Sequence, residues 1–463
     1  MATIVGGQSA IPNLETIATD ALSLYQKLLP NEYFEGLRRY GPLCENNRVY
    51  NAAVVMWLMI DQRLHGGSMS ESVLELICGL PSTFWPRPCR RLLALAQDKR
   101  RRLSANTGSY NDARQDLPLA VMEGSFDRAT DGMLGAAVGP GGEASRVFFV
   151  DGTSMRGPHN EEMCQAYPPV TNQHGESHWP VLRVLVAHDL HTGLAMRPQW
   201  GPMYGAQAVS EQGLFAGLLG RLPKGSTVLA DINFGVFSVA YAADQQNHPT
   251  LLRLLGARAK RLLGGKPLRD GIDQRVQWRP SSADRKGNPQ LPVDASVVGR
   301  VIVRQVQPSN GGQPLLLALF STREEPAEEL VGLYGERWKI EVDLRTLKST
   351  LQLEELTCTS PTMVAKEIVM GMLAYNLVRA VMFVAAQAAG VAPRAFSFTQ
   401  VRNVVNAFGP RIAAAKTTEE AQRLNEDMLY YASRALLPRR HRPRNSYPRA
   451  VWKRRQSFPG RRK

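Results

Sequence analysis

Residues 326–351 read PAEELVGLYGERWKIEVDLRTLKSTL, and the reading of this stretch decides the rest. Pro326 suits a first helical turn, and Glu328 and Glu329 follow where negative charge meets the helix dipole; Gly335 is the one interruption. The spacing predicts a single long helix. At about 100° per residue, Tyr334, Arg337, Glu341, Arg345 and Lys348 fall within roughly 80° of one another on one face. Leu333, Ile340, Leu344, Leu347 and Leu351 form an apolar stripe beside them. Such a helix packs on a core and carries a carboxylate at the rim, among cations and a tyrosine. An exposed face with i,i+4 charge pairs would look the same, so the weight falls on what lies upstream.

Upstream, residues 146–153 (RVFFVDGT) form an apolar run closed by Asp151, which predicts a strand delivering a carboxylate at its end. Asp-Gly also suits the start of a turn. A second short apolar run, residues 226–230 (STVLA), ends in Asp231 and continues Ile-Asn-Phe-Gly. Two strands that each deliver an aspartate, followed by a helix presenting Glu341, are far more specific than any one acid. Between them, strands at residues 181–186 and 194–199 are joined by a hairpin loop at 188–193, and residues 210–222 and 237–244 are helical.

Three carboxylates without a fixed histidine partner point to hard cations such as Mg²⁺, with Mn²⁺ as a substitute. Two ions about 4 Å apart can activate a water or a 3′-hydroxyl for in-line displacement at phosphorus. In that chemistry Asp151 bridges both ions, Asp231 and Glu341 each serve one, and Arg337 and Lys348 hold neighbouring phosphates. Tyr334 would hydrogen-bond a phosphate or stack on a base.

Composition agrees with a polyanionic partner. The 463 residues carry 56 Lys and Arg against 41 Asp and Glu, a net charge of +15. Eleven of those cations, and no acid, fall in residues 438–463, a proline-punctuated tail expected to be extended or disordered until it meets a partner, nucleic acid or an anionic membrane. Residues 1–140 read as helical, with 51–65 and 68–78 separated by Gly66-Gly67 and a basic cluster at 87–102. That fits a DNA-binding module of helix-turn-helix type and equally a helical lobe with a solvated basic face. The glycine-rich stretch 135–144 reads as a linker. Five cysteines, odd in number and without CxxC spacing, do not read as a disulfide framework or a zinc finger. His174 and His178 lack the context of a metal-binding helix, and no G-x-S-x-G marks a nucleophilic serine. The apolar segment 368–389 holds Asn376 and Arg379 and reads as a core helix, so the expectation is a cytosolic protein without a membrane partner.

The pattern Tyr334-x2-Arg337-x3-Glu341-x6-Lys348, with Asp151 in VDGT and Asp231 in LADINFG, resembles the YREK-signature group of bacterial insertion-sequence DDE transposases. Thr107-Gly-Ser-Tyr-x3-Arg114-Gln115 with Leu117-Pro118 is similar to their amino-terminal region. Ile232-Asn233 departs from the polar, often basic, pair usual after the second acid. The resemblance implies an α/β fold with an RNase H-like (retroviral integrase-like) catalytic core and a β-rich insertion, flanked by helical amino- and carboxy-terminal regions. Its parts would be a DNA-binding domain at 1–140, core at 141–255 and 314–390, insertion at 256–313, and a helical region with the basic tail at 391–463. It further implies a Mg²⁺-dependent endonuclease and strand transferase that binds double-stranded DNA at terminal inverted repeats. It would act as a homodimer on two ends, with Tyr334, Arg337, Arg345 and Lys348 on the DNA. Members that cut through a hairpin place an aromatic residue of the insertion against a flipped base, and Trp278 is the candidate. A catalytically silent, transposase-derived repressor is the alternative, and a plain nuclease a third reading.

Overall fold

In a computed structural model that describes residues 21–41, 48–78, 103–137, 146–172, 175–307 and 313–437, helices lead the chain. They are α1 (Ala21–Leu28), α2 (Asn31–Gly36), α3 (Ala52–His65), α4 (Met69–Cys78), α5 (Gly108–Asp116) and α6 (Leu119–Ala136). The basic cluster 87–102, His174, most of the stretch 135–144 and the tail 438–463 lie outside the described residues. The α3 helix starts where the Asn51 side chain accepts from the Val54 N–H and stops at Gly66, whose φ of 71° suits a residue without Cβ. Residues 52–61 are all buried, so α3 is a core helix. The Tyr110 and Arg114 motif of α5 works as an internal clamp. Tyr110 donates to Gln62 Oε1 (3.1 Å), and Arg114 reaches Cys358 Sγ (3.3 Å).

The chain then builds one sheet: β1 (Val147–Arg156), α7 (Glu161–Ala166), β2 (Pro169–Asn172), β3 (Gly175–Asp189), β4 (Gln199–Pro202), α8 (Glu211–Leu219), β5 (Thr227–Ala230), α9 (Phe237–Gln245), β6 (Thr250–Arg253), α10 (Gly256–Leu262), β7 (Ile272–Trp278), α11 (Ser282–Gly287), β8 (Val297–Val306) and β9 (Leu315–Ser321). The spatial order is β2-β3-β1-β5-β6-β9-β8-β7, with β4 also on β3. β1 pairs antiparallel with β3 and parallel with β5, which pairs parallel with β6. Parallel strands covered on both faces are continuous apolar runs, as the fully buried β5 illustrates. This is the RNase H-like arrangement. β7, β8 and β9 do not make a separate barrel or sheet. They extend the same sheet antiparallel from β6.

The stretch 326–351 is not one helix. It is α12 (Ala327–Gly335), α13 (Trp338–Arg345) and a π-type turn over Thr346–Thr350. At the first joint the N–H groups of Glu336, Arg337, Lys339 and Ile340 bond carbonyls three residues back, a tighter 3₁₀ winding beside Gly335. At the second, Leu351 N–H reaches back five residues to Thr346, whose hydroxyl also bonds the Val342 carbonyl. The hairpin after β3 is shorter than the sequence suggests. His188 and Asp189 belong to the strand, and Asp189 Oδ2 accepts from both the N–H and hydroxyl of Thr192.

Behind the sheet runs α14 (Pro361–Ala389), followed by α15 (Phe398–Ala413) and α16 (Thr418–Arg434). By length and composition α14 could cross a membrane, but 94% of its most apolar window is buried inside the protein. Its polar side chains are partnered. Asn376 pairs with both the N–H and carbonyl of Ala195 at 2.8 Å, and Lys366 caps the carbonyls of Arg114 and Gln115. Arg379 and Arg394 converge on Asp343 of α13, which is fully buried; Arg394 Nη2 lies 2.8 Å from its Oδ2. Truncating one member of a buried ion cluster strands the others without counter-charge. Asp343→Ala is therefore expected to cost about 3–5 kcal/mol, read by denaturant unfolding. His188 packs against the same cluster, and burial pushes its imidazole down to about 4. The native state thus holds it neutral while the unfolded chain takes up a proton below its ordinary pKa of about 6.5. Stability should fall as pH drops from 6.5 to 4, and His188→Gln should flatten that slope in melts across the range.

Candidate active site

The β1–β5 register sets the two aspartates side by side. Val150 pairs with Ala230 in the parallel ladder, so Asp151 and Asp231 follow at the same level. In such a pair both side chains leave the sheet on one face, with strands about 4.8 Å apart. Asp151 is not the last residue of its strand. β1 runs on to Arg156 against β3, and only its pairing with β5 stops at Val150. Asp231 does end its strand. Its Oδ1 accepts the Asn233 N–H at 2.8 Å, and its carbonyl accepts from Phe234, fixing the turn into α9. Gly235 closes that turn because a Cβ there would sit 2.0 Å from the Arg253 carbonyl oxygen of β6.

A third carboxylate lies beside them that the sequence reading did not single out. Glu211 opens α8 behind its Ser210 cap and lies over Gly152, where any Cβ would overlap its Oε1. Arg183 pairs with it at 3.8 Å. Burial, then the Asp231 charge, push the Asp151 carboxyl up to about 6, against the pull of the Gly152 N–H and Arg337; Glu211 adds a smaller push. Glu211 is itself raised, by burial first and then by Asp231. Neighbouring carboxylates that resist ionising together form the donor set a divalent cation would relieve.

Glu341 stands apart from this group. Its side chain is 54% exposed and held by Arg337 at 2.7 Å, and Asp151, Asp231 and Glu341 do not close to within 4.8 Å of one another. Arg337 is the link, since it bonds Glu341 and acts electrostatically on Asp151. Tyr334 is buried; its enclosed hydroxyl lies against Arg253, which can only donate to it, and finds no acceptor, in the field of Arg337 and Asp231. A buried phenol with an unused hydrogen bond at the edge of an acidic site fits a polar ligand there better than a stacking role. Lys348 pairs with Glu354 at 3.3 Å, and Arg345 is exposed.

Trp278 is elsewhere. It is 4% exposed and packs edge-on against Phe320 (4.8 Å between centroids) and Phe237 (6.2 Å). A ring so enclosed is a core side chain and offers no face to a base. The exposed tryptophan near the site is Trp338, at 56%, next to Arg337.

The sheet and its helical flanks are consistent with what comparison finds. The Transposase DDE domain family matches residues 142–377, more than half of the chain and the whole span from β1 into α14. The transposase InsG for insertion sequence element IS4 of Escherichia coli (strain K12) is 24% identical over 353 residues, covering 75% of this chain and 76% of that protein. Membership implies DNA binding and dependence on a divalent metal. The chain belongs to the Transposase DDE domain family.

Proposed function

We propose that this transposase cuts DNA at the ends of its own element and joins the freed 3′ ends to target DNA, with Asp151, Asp231 and Glu341 as the reacting-site acids. The observation that carries this reading is the register that sets Asp151 beside Asp231, with Arg337, the partner of Glu341, acting on Asp151. Asp151 and Asp231, each oriented by a backbone N–H, would hold Mg²⁺ ions together with Glu341. Two such ions, when bound, supply a more acidic attacking water or 3′-hydroxyl and stabilise the leaving oxygen.

The remaining roles belong to the chain. Glu341 is exposed and bonded to Arg337, so serving an ion with the aspartates would require it to leave that arginine. Arg337, relieved of that partner, is placed to bind a phosphate oxygen bidentately. The Tyr334 hydroxyl has its hydrogen bond still to give, and a phosphate oxygen beside Arg337 is a fitting acceptor. Lys348 and Arg345 would hold the backbone farther along. The spacing of Tyr334, Arg337, Glu341 and Lys348 supports assignment to the YREK group. The partner is double-stranded DNA, bound at terminal inverted repeats by the amino-terminal helices and basic tail, with a homodimer bridging two ends. The repressor alternative is less favoured, because a pure binder gains nothing from keeping Asp151 and Asp231 in mutual repulsion.

The test uses the purified protein, Mg²⁺ and a fragment carrying the gene with its native flanks, with new 3′ ends mapped. Defined nicks at inverted repeats are expected from the wild type. Glu341→Gln should lower cleavage by at least 10³-fold, on the scale of losing a directly acting group, and leave end binding intact. Specific binding without nicks by the wild type would support the repressor, and unpaired cutting at scattered sites a nuclease.

A further inference from the structure

The amino-terminal helices carry a second polar cluster that shares no residue with the acids above. Asp61 and His65 stand one turn apart at the end of α3, and Glu75 meets them from α4. The donor atoms of these three side chains all lie within 4.8 Å of one another, and His65 Nδ1 is 3.0 Å from Asp61 Oδ1. Donors sharing one ion at bond lengths of about 2.0–2.2 Å stand roughly 3.0–3.5 Å apart. Small side-chain rotations separate this cluster from a coordination sphere. Asp61 is buried, whereas His65 and Glu75 reach solvent, so an ion has a way in.

A histidine–aspartate ion pair at a helix carboxy terminus, where imidazolium suits the dipole, would explain His65 and Asp61. Glu75 meets Asp61 as a second carboxyl, and hydrogen bonding to Asp61, then burial, hold it up to about 8; the proton it shares is one that a bound cation would displace. Among the described residues no lysine or arginine forms an ion pair with either acid. The cluster also borders a cavity of about 190 Å³ walled by Trp57, Leu58 and Val405. Asn406 lines the same cavity. Its amide nitrogen donates to the Leu64 carbonyl at 2.8 Å, and its Oδ1 is enclosed without any hydrogen-bond partner. Buried amide oxygens are rarely left so, and this one lies on the wall that the three donors share.

We propose that Asp61, His65 and Glu75 form a binding site for a zinc-class divalent ion that staples α3 to α4, with Asn406 Oδ1 accepting a hydrogen bond from a water on that ion. One imidazole with two carboxylates selects first-row transition ions over Mg²⁺, which prefers oxygen donors alone. The role is structural. The ion locks the turn at Gly66-Gly67 and, through Asn406, the contact of this hairpin with α15.

The test titrates metal-stripped full-length protein with Zn²⁺ in excess Mg²⁺, counting bound zinc and following the melting temperature. The wild type should take up one tight equivalent and melt several degrees higher, as binding to the native state alone requires. Glu75→Gln, which keeps the shape of the side chain, should lose that equivalent and the rise in melting temperature, and His65→Gln likewise, with unchanged circular dichroism. Asp231→Asn should retain both. No zinc-dependent rise in the wild type, an undiminished equivalent in Glu75→Gln, or loss in Asp231→Asn would each overturn the proposal. None of these readings depends on cleavage, so the site stands or falls separately from the proposed reaction.

Discussion

The helix that carries Glu341 is short, and what fixes it is a buried charge. Asp343, two residues on, has no exposed surface and lies between the guanidinium groups of Arg379 and Arg394. Arg379 belongs to the long core helix α14, and Arg394 also caps the carbonyls of Asp189 and Leu190 at the end of β3. One carboxylate thus ties α13 to the core helix and to the sheet. Burying three charges is unfavourable unless each is met by its partners, so the arrangement tolerates little displacement. With a tight 3₁₀ turn before α13 and a wide π turn after it, side-chain periodicity alone would not hold Glu341 over the sheet. The Asp343 cluster does so from the opposite side of the helix.

On the facing side the electrostatics run the other way. The β1–β5 register forces Asp151 next to Asp231, and Glu211 crowds both across Gly152. Backbone N–H groups orient the aspartates without neutralising them. Arg183 meets Glu211, and Arg337, which acts on Asp151, is shared with Glu341. The site therefore pairs an under-neutralised acidic floor with a glutamate latched to an arginine. A cation held by the acids and a phosphate held by the arginine would each relieve one of these arrangements.

Much of this was legible in the chain. Apolar runs mark β5 and the fully buried first half of β1, which Asp231 and Asp151 follow; that β1 continues past Asp151 to Arg156 was not legible, because its second half is only half-buried. The faces of residues 326–351 single out Glu341. The breaks in that stretch were not legible, because whether an N–H bonds three, four or five residues back leaves little trace in side-chain order. Trp278 was misjudged although a signal existed. It is in phase with Ile272, Gln274 and Val276 along β7, and that alternate set faces inward. Glu211 was invisible for another reason. Its contact with Gly152 joins elements about sixty residues apart, and one sequence carries no record of which glycine is small for the sake of which side chain. The polar Asn376 and Arg379, read correctly as signs of a core helix, gave no indication that their partners were Ala195 and Asp343.

The central claim is that these acids hold a divalent ion against the scissile phosphate. It is tested most directly with an end fragment whose 3′-bridging oxygen at the cut site is replaced by sulfur. If the acids hold an ion against the leaving atom, cleavage should be slow in Mg²⁺, recover in the more thiophilic Mn²⁺, and fail to recover in Asp231→Asn. The same ratio of Mn²⁺ to Mg²⁺ rates for the sulfur and oxygen substrates would contradict it.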